Sequence, residues 1–309
     1  SLAQLAGVVE DDKIKAKMLN VFDNRLKNVL PYFIGFDGAI YESASAYWLF
    51  IYDQLTKISG IKAVEQTESV TYLKNELNKC GLFIRTIAAN NGFLQGSGDS
   101  YSSTMIDTFR NITISSNRYF RFSNEVAGGN WTVDKTNFNV VFVSMHTPPN
   151  VHKLPEDLAV YVYGNHPLFS NTGTYAYDES KERLYFKTEK SQSTVSFLSN
   201  DFTAPVNSRV TISDSVLSGN NMTMVGEKQY QDNSSIIRVL EIFPGNKIQI
   251  RDSAQNGDSL VAFFNIHPQV RAKKLNDKEI LMQTPDSMNF NLLSNCDIEL
   301  TEGIISQST

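Results

Sequence analysis

The chain has 309 residues, of which 41% are hydrophobic and 20% are charged, and its formal net charge at pH 7 is -5. This composition is typical of a globular protein with one large or two medium domains. A mildly acidic chain lacks the broad basic face of nucleic-acid-binding proteins, so nucleic acid is not an expected partner. An acidic polysaccharide is compatible with this charge, because a local cluster of Arg and Lys can bind anions on an acidic protein.

The chain contains no run of about 18 apolar residues, so no membrane span is predicted. Residues 1–9 lack the basic region of a signal peptide and have the apolar spacing of a helix. We therefore expect the chain to begin inside a larger helical domain. The two cysteines, Cys80 and Cys296, are predicted to be unpaired core thiols.

The first third of the sequence has the apolar spacing of helices. Three helices are predicted, with the bounds Asp11 or Asp12 to near Pro31, Ser43 or Ser45 to Gly60, and Thr67 to just before residues 90–92. Residues 1–115 are therefore predicted to form a helical domain.

Beyond residue 115 the pattern changes to short β-branched and aromatic runs separated by Asn, Gly, Ser and Asp. The predicted strands are Phe138–Val143, Leu158–Tyr163, Leu184–Thr188, Thr194–Leu198, Val210–Ile212, Ile236–Phe243, Lys247–Arg251 and Leu260–Ile266. Frequent strands without intervening helices indicate an antiparallel β-sandwich over residues 116–309. The predicted fold class is thus α+β with more than one domain.

Two segments carry motifs in a fixed order. Residues 37–47 are close to the pattern Asp-Gly-x-x-x-Glu-x-Ser-x-x-Tyr, and Gly98-Asp99-Ser100 follows. Farther on, His152 precedes an alternating strand pattern, and a Gly-Thr-Tyr turn follows at residues 173–175. In this order the motifs resemble the heparinase II/III-like polysaccharide lyases over most of the chain. The resemblance implies the end of an (α/α) toroid followed by a large antiparallel β-sandwich.

The resemblance implies a lyase that breaks a uronic-acid-containing polysaccharide by β-elimination. A base removes the proton α to the uronate carboxylate, and an acid protonates the departing glycosidic oxygen. By position, Tyr47 and His152 resemble the family's catalytic pair, with Tyr41 as the competing tyrosine. A tyrosine at helical spacing is equally often a core residue.

The expected substrate contacts are Tyr41, Glu42, Tyr175 and Arg183. Tyr175 either lines the cleft or packs against the strand. Arg183 either binds a carboxylate or sulfate through its planar fork or is a solvated surface side chain.

The family's structural zinc takes three ligands from positions that read Leu154, Asn171 and Gln192 in this chain. Leucine cannot ligate a metal, and amide oxygens bind zinc poorly compared with imidazole, thiolate or carboxylate. The family's Asp after the His pair is Glu156 here. No zinc and no other cofactor are expected, and Asn171 and Gln192 are instead expected to hold the same loops by hydrogen bonds.

Two hypotheses stay open for the activity. The first is a polysaccharide lyase, and the second is a catalytically weak or inactive carbohydrate-binding member, which the lost zinc ligands favour. The hyaluronate and chondroitin lyase group, which has the same toroid-plus-sandwich plan, fits the motifs less well. The sequence does not predict an oligomeric state or a compartment, although the resemblance slightly favours a secreted or periplasmic protein.

Metal analysis tests the zinc prediction. We expect inductively coupled plasma mass spectrometry of the purified protein to find far less than one zinc per chain, because the three ligand positions lack donors suited to zinc. A stoichiometric zinc that survives dialysis against a chelator contradicts the prediction.

Overall fold

The fold is given by a computed structural model. The structure describes residues 2–65, 67–89, 93–98, 100, 103–105, 118–133, 136–144, 152, 154–173, 180–199, 209–218, 221–230, 232–243 and 247–302.

Four helices form the first part of the chain: α1 (Leu2–Val8), α2 (Asp12–Phe33), α3 (Ser45–Ser59) and α4 (Glu68–Ile87). They confirm the three predicted helices and resolve their starts. Asp11 is the N-cap of α2, since its carboxylate accepts hydrogen bonds from the amides of Lys13 and Ile14 at 2.8 and 3.1 Å.

The predicted end of α2 at Pro31 is too early, because the helix continues to Phe33. Proline removes only its own amide donor, and the Ile34 amide still donates to the Leu30 carbonyl at 2.9 Å.

The rest of the chain is mainly strands, and every pairing among the described residues is antiparallel. The strands are β1 (Phe93–Gln95), β2 (Ser103–Met105), β3 (Arg118–Arg121), β4 (Val126–Val133), β5 (Thr136–Val143), β6 (Ala159–Tyr163), β7 (Pro167–Phe169), β8 (Val195–Phe197), β9 (Arg209–Ser218), β10 (Asn221–Gln229), β11 (Ser235–Phe243), β12 (Lys247–Gln255), β13 (Leu260–Ala262), β14 (Arg271–Asn276), β15 (Glu279–Gln283) and β16 (Asn289–Leu293).

Among the described residues, the strands form a five-stranded sheet in the order β3-β4-β5-β6-β7, a four-stranded sheet in the order β12-β11-β10-β9, a three-stranded sheet β14-β15-β16, and two strand pairs, β1-β2 and β8-β13.

The strand predicted over Leu184–Thr188 is wrong, because this segment contains a short helix, α5 (Lys181–Phe186). Ser180 starts the helix: its Oγ accepts from the Arg183 amide at 3.2 Å, and its carbonyl accepts from the Leu184 amide at 3.0 Å. A serine cap followed by one helical turn outweighs the weak strand pattern of a five-residue run.

The five-stranded sheet is covered on both faces, because neighbouring side chains along a strand point to opposite sides. One face joins the helices in a single core cluster, which includes Trp48, Leu73, Phe83, Ile84, Val141 and Tyr161. The other face joins the four-stranded sheet in a second cluster, which includes Val140, Phe142, Val160, Met224, Leu240 and Ile242. The structure is therefore layered as helices, sheet and sheet.

The antiparallel β architecture predicted for the later part of the chain is confirmed. The predicted domain boundary between residues 115 and 116 lies outside the described residues and stays a prediction.

Within the described part of the chain, no helix combines the length and apolarity that crossing a membrane requires. Both cysteines are free, but only Cys80 is buried; Cys296 is exposed, so its prediction as a core thiol is wrong.

Charged side chains point into the second core from the four-stranded sheet. Lys228 on β10 pairs with Glu189, and both side chains are fully buried. Arg238 on β11 is also fully buried, and its guanidinium binds both carboxylate oxygens of Asp252 at 2.7 and 2.8 Å. A buried charge of this kind is tolerated only with a partner.

Lys228→Met tests how far the fold depends on the buried pair. It leaves the Glu189 carboxylate buried without its cation, so we expect the free energy of unfolding to fall by about 3–5 kcal/mol in urea titrations. Adding Glu189→Leu to Lys228→Met is expected to recover much of that loss.

The matched control is Lys57→Met, which removes a solvent-exposed pair with Asp53. We expect it to lower the free energy of unfolding by less than about 1 kcal/mol. Equal losses of unfolding free energy in Lys228→Met and Lys57→Met would show that the buried pair contributes no more to stability than the exposed pair.

Candidate active site

The first turn of α3 brings Tyr47 against His152. Their ring centroids lie 4.1 Å apart, and the ring planes are inclined by 22°. These are the two residues predicted from motif order to act as acid and base. The structure therefore places them in direct contact, although 105 positions separate them in the sequence.

Glu42 contacts the same histidine. Its Oε1 lies 3.3 Å from His152 Nδ1, and both side chains are largely buried, with 17% and 19% of their surface exposed. A carboxylate beside Nδ1 favours the tautomer that carries its proton on Nδ1, which leaves Nε2 as an acceptor. The predicted substrate-binding role of Glu42 stays a prediction, and the geometry adds an orienting contact to His152.

Ser97, Gly98 and Ser100, the described residues of the 97–100 loop, hold the start of α3. The Ala46 amide donates to Ser100 Oγ at 2.9 Å, and the Ser97 amide donates to Ser45 Oγ at 3.1 Å. The Ser45 amide in turn donates to the Ser97 carbonyl at 3.2 Å. These bonds satisfy amides at the helix start, where Ala44 as the N-cap residue offers no side-chain acceptor.

Glu156 lies beneath this loop and is fully buried. Its carboxyl group accepts hydrogen bonds from the Gly98 amide at 2.6 Å, the Tyr161 hydroxyl at 2.7 Å and the Asn171 amide group at 3.3 Å. Burial raises the pKa of Glu156 to about 8, although these three donors favour the charged form. Sequence analysis noted Glu156 only as a replaced family aspartate, because no local pattern signals its distant partners.

Tyr41 is held at a different surface. Its hydroxyl donates to Ser123 Oγ at 3.1 Å, and Asp37 accepts from the Ser123 amide at 2.6 Å. Ser123 and Asp37 line a cavity of about 390 Å³ together with Phe36, Arg121, Phe122 and Glu125. Tyr41 therefore contacts the wall of this cavity, whereas Tyr47 contacts His152.

The other two predicted substrate contacts are Arg183 and Tyr175. Arg183 lies on α5 and is only 3% exposed, so it is not a solvated surface arginine. Tyr175 lies outside the described residues. The substrate-binding roles of Arg183 and Tyr175 stay predictions.

The three positions that correspond to the family's zinc ligands do not fit a zinc ion. Leu154 is buried and apolar. Asn171 Oδ1 accepts from the Gly173 amide at 2.5 Å, and Gln192 Nε2 donates to Ser191 Oγ at 2.9 Å. In the described part of the chain, no three His, Cys, Asp or Glu side chains converge as a metal site. The absence of zinc stays a prediction, and no step of the chemistry below uses a metal.

The pKa of Glu156 predicts a pH dependence of stability. The folded chain keeps the proton up to about pH 8, whereas the unfolded chain releases it near the ordinary value of 4.5. The tighter binding of this proton therefore stabilises the folded chain. This stabilisation is present in full below the unfolded-state pKa of 4.5 and is lost as the pH rises through the folded-state pKa of about 8. We expect the free energy of unfolding, measured by urea titration, to fall from about pH 5 to about pH 9, and to fall less in Glu156→Gln. Identical pH profiles for both proteins would contradict the assignment.

The chain is similar to known proteins in sequence and in fold. The family model described as "Heparinase II/III-like, C-terminal" matches residues 119–309. A sequence search of curated proteins found no match.

Two solved structures show the same fold. The structure titled "Heparinase III-BT4657 gene product" has a TM-score of 0.76 and 16% identity over 94% of this chain and 50% of that chain. Heparan sulfate lyase HepC from Pedobacter heparinus has a TM-score of 0.72 and 12% identity over 91% of this chain and 50% of that chain. This chain therefore spans about half the length of the structures it matches.

Proposed function

This chain belongs to the heparinase II/III-like family, and on that premise we propose that the protein is a polysaccharide lyase. Its substrate is a uronic-acid-containing acidic polysaccharide, cleaved by β-elimination. The observation that carries the proposal is the contact between Tyr47 and His152, with Glu42 beside His152. The solved structures with the same fold include a heparan sulfate lyase, which supports an anionic glycan as the substrate class.

The geometry suits an elimination. The proton that leaves and the oxygen that departs are on adjacent carbons of the uronate, so the acid and the base must be close together. Two rings in contact at 4.1 Å meet that requirement. A proton acceptor and a proton donor held within reach of the sugar typically accelerate such a reaction by about 10²–10⁴-fold each.

The two residues take different roles. With its Nδ1 beside Glu42, His152 presents Nε2 to remove the proton α to the uronate carboxylate. Tyr47 offers its phenol O–H as the proton donor to the glycosidic oxygen. The C–O bond breaks and the C=C bond forms in the uronate. Tyr47 then regains a proton from solvent, and His152 releases to solvent the proton that it took from the sugar.

The helices α1–α4 then correspond to the end of a helical toroid, and the rest of such a toroid completes the cleft. In support of this arrangement, the chain matches only 50% of the heparinase III structure. The toroid, the bacterial origin and the carbohydrate-binding surface are parts of the proposal.

A second candidate is a carbohydrate-binding member with weak or no activity. It is favoured by the apolar and amide side chains at Leu154, Asn171 and Gln192. Binding of a glycan without formation of an unsaturated product would support this candidate over the lyase.

Substitution of the pair tests the lyase proposal. Tyr47→Phe and His152→Ala are expected to lower kcat by about 10²–10⁴-fold, because each removes one proton-transfer group. The measurement is the ultraviolet absorbance of the unsaturated uronate, screened with the full-length protein over a panel of uronate polymers that includes heparan sulfate.

Matched controls are Tyr32→Phe and His166→Ala, which change a tyrosine on the exposed face of α2 and a histidine in the turn before β7. Both are expected to keep full activity. Persistent product formation in Tyr47→Phe and His152→Ala would remove these residues from the mechanism.

A further inference from the structure

The carboxyl group of Glu156 joins three separate segments of the chain. It accepts from the Gly98 amide in the loop before β2, from the Tyr161 hydroxyl on β6, and from the Asn171 side chain after β7. Glu156 is 2% exposed. A buried carboxyl group with three donors at 2.6–3.3 Å fixes the relative positions of those donors, because each unmade bond leaves a buried polar group unsatisfied.

Hydrogen bonds made by Ser97, the neighbour of Gly98, link the Glu156 contact to the helix that carries Tyr47. Next to Gly98, Ser97 exchanges hydrogen bonds with Ser45, and its Oγ donates to the Ser43 carbonyl at 3.0 Å. Ser45 is the first residue of α3, and Tyr47 lies two residues later on the same turn. A shift of the 97–100 loop therefore moves the tyrosine.

The same glycine also contacts the backbone of His152. Gly98 has a φ of +55°, and a Cβ added to it would lie 2.7 Å from the His152 carbonyl oxygen and 2.7 Å from the Ser43 carbonyl. The loop thus lies in close contact with the histidine on one side and the residues before α3 on the other. Only glycine fits this position.

We propose that Glu156 is a positioning residue that holds the Tyr47–His152 pair in contact through the 97–100 loop. This inference rests on the proposed function for the role of the pair, but the contact itself can be measured without activity. Glu156 reaches no reacting atom in this scheme, and it acts only through Gly98.

Kinetics provide the first readout. Glu156→Ala removes all three hydrogen bonds at the carboxyl group, and we expect kcat to fall by about 10- to 100-fold, because misplacement of reacting groups by about 1 Å has effects of this size. KM is expected to change much less than kcat, since no substrate contact is removed. Glu156→Gln, which keeps an acceptor for the Gly98 amide, is expected to recover most of kcat.

Nuclear magnetic resonance provides the second readout, which does not depend on turnover. The Tyr47 ring stacks on the His152 ring, so the ring current of the tyrosine shifts the His152 ring protons. Glu156→Ala is expected to move these resonances toward the values seen in Tyr47→Ala, and Glu156→Gln is expected to leave them near those of the unmodified protein.

The control is Glu76→Ala, which removes another buried carboxyl group. Glu76 lies on α4, and its carboxylate accepts a hydrogen bond from Lys79 Nζ at 2.8 Å. We expect it to lower stability without changing kcat or the His152 resonances. Where Glu156→Ala does not fold, Glu156→Asp replaces it, because a side chain one methylene shorter cannot reach Gly98 and Asn171 together.

The outcomes separate the two proposals. If the unmodified protein forms no unsaturated product, the proposed function fails, and the His152 resonances still decide the role of Glu156. If folded Glu156→Ala, or Glu156→Asp in its place, keeps the His152 resonances unchanged, or if Glu76→Ala lowers kcat equally, the positioning role is overturned.

Discussion

Side chains along β5 and β6 alternate between two cores, and this burial of the five-stranded sheet on both faces organises the molecule. Val141 and Tyr161 pack toward the helices, whereas Val140 and Val160 pack toward the four-stranded sheet. Because a one-residue shift in register would exchange the two sets of side chains, the register of this sheet is strongly specified. The helices and the second sheet are thereby held at fixed positions on either side.

Polar groups enter this apolar arrangement at β6, an inner strand of the sheet. Tyr161 contributes its ring to the core that includes the helices, and its hydroxyl donates to Glu156 at 2.7 Å. The same side chain thus belongs to the packing of the sheet and to the hydrogen bonds beneath the candidate site. A low-dielectric surrounding strengthens such bonds and raises the cost of leaving any of them unmade.

Much of the fold follows from the sequence, and much of the site does not. The apolar spacing of α2, α3 and α4 predicts those helices, since each buries one regular face. The β-branched and aromatic runs of β5, β6 and β11 predict those strands. Strand β10 was not predicted, because a buried lysine, Lys228, interrupts its apolar face and needs the distant Glu189 to be tolerated. Motif order suggested Tyr47 and His152 as a pair. Glu42 was predicted as a substrate contact, but its contact with His152 was not, because the two residues are 110 positions apart. The contact between Gly98 and Glu156, which are 58 positions apart, was not predicted for the same reason.

The position of the Tyr47–His152 contact has a thermodynamic consequence. The Tyr47 ring belongs to helix α3, and His152 precedes strand β6 of the five-stranded sheet. Under the proposed function, a glycan that touches both rings binds only when the two parts are packed together, so glycan binding and this packing are linked equilibria. Saturating ligand then stabilises the packing of the helices on the sheet, and a change that lowers the fraction of packed molecules raises the apparent Kd for the glycan in inverse proportion to that fraction.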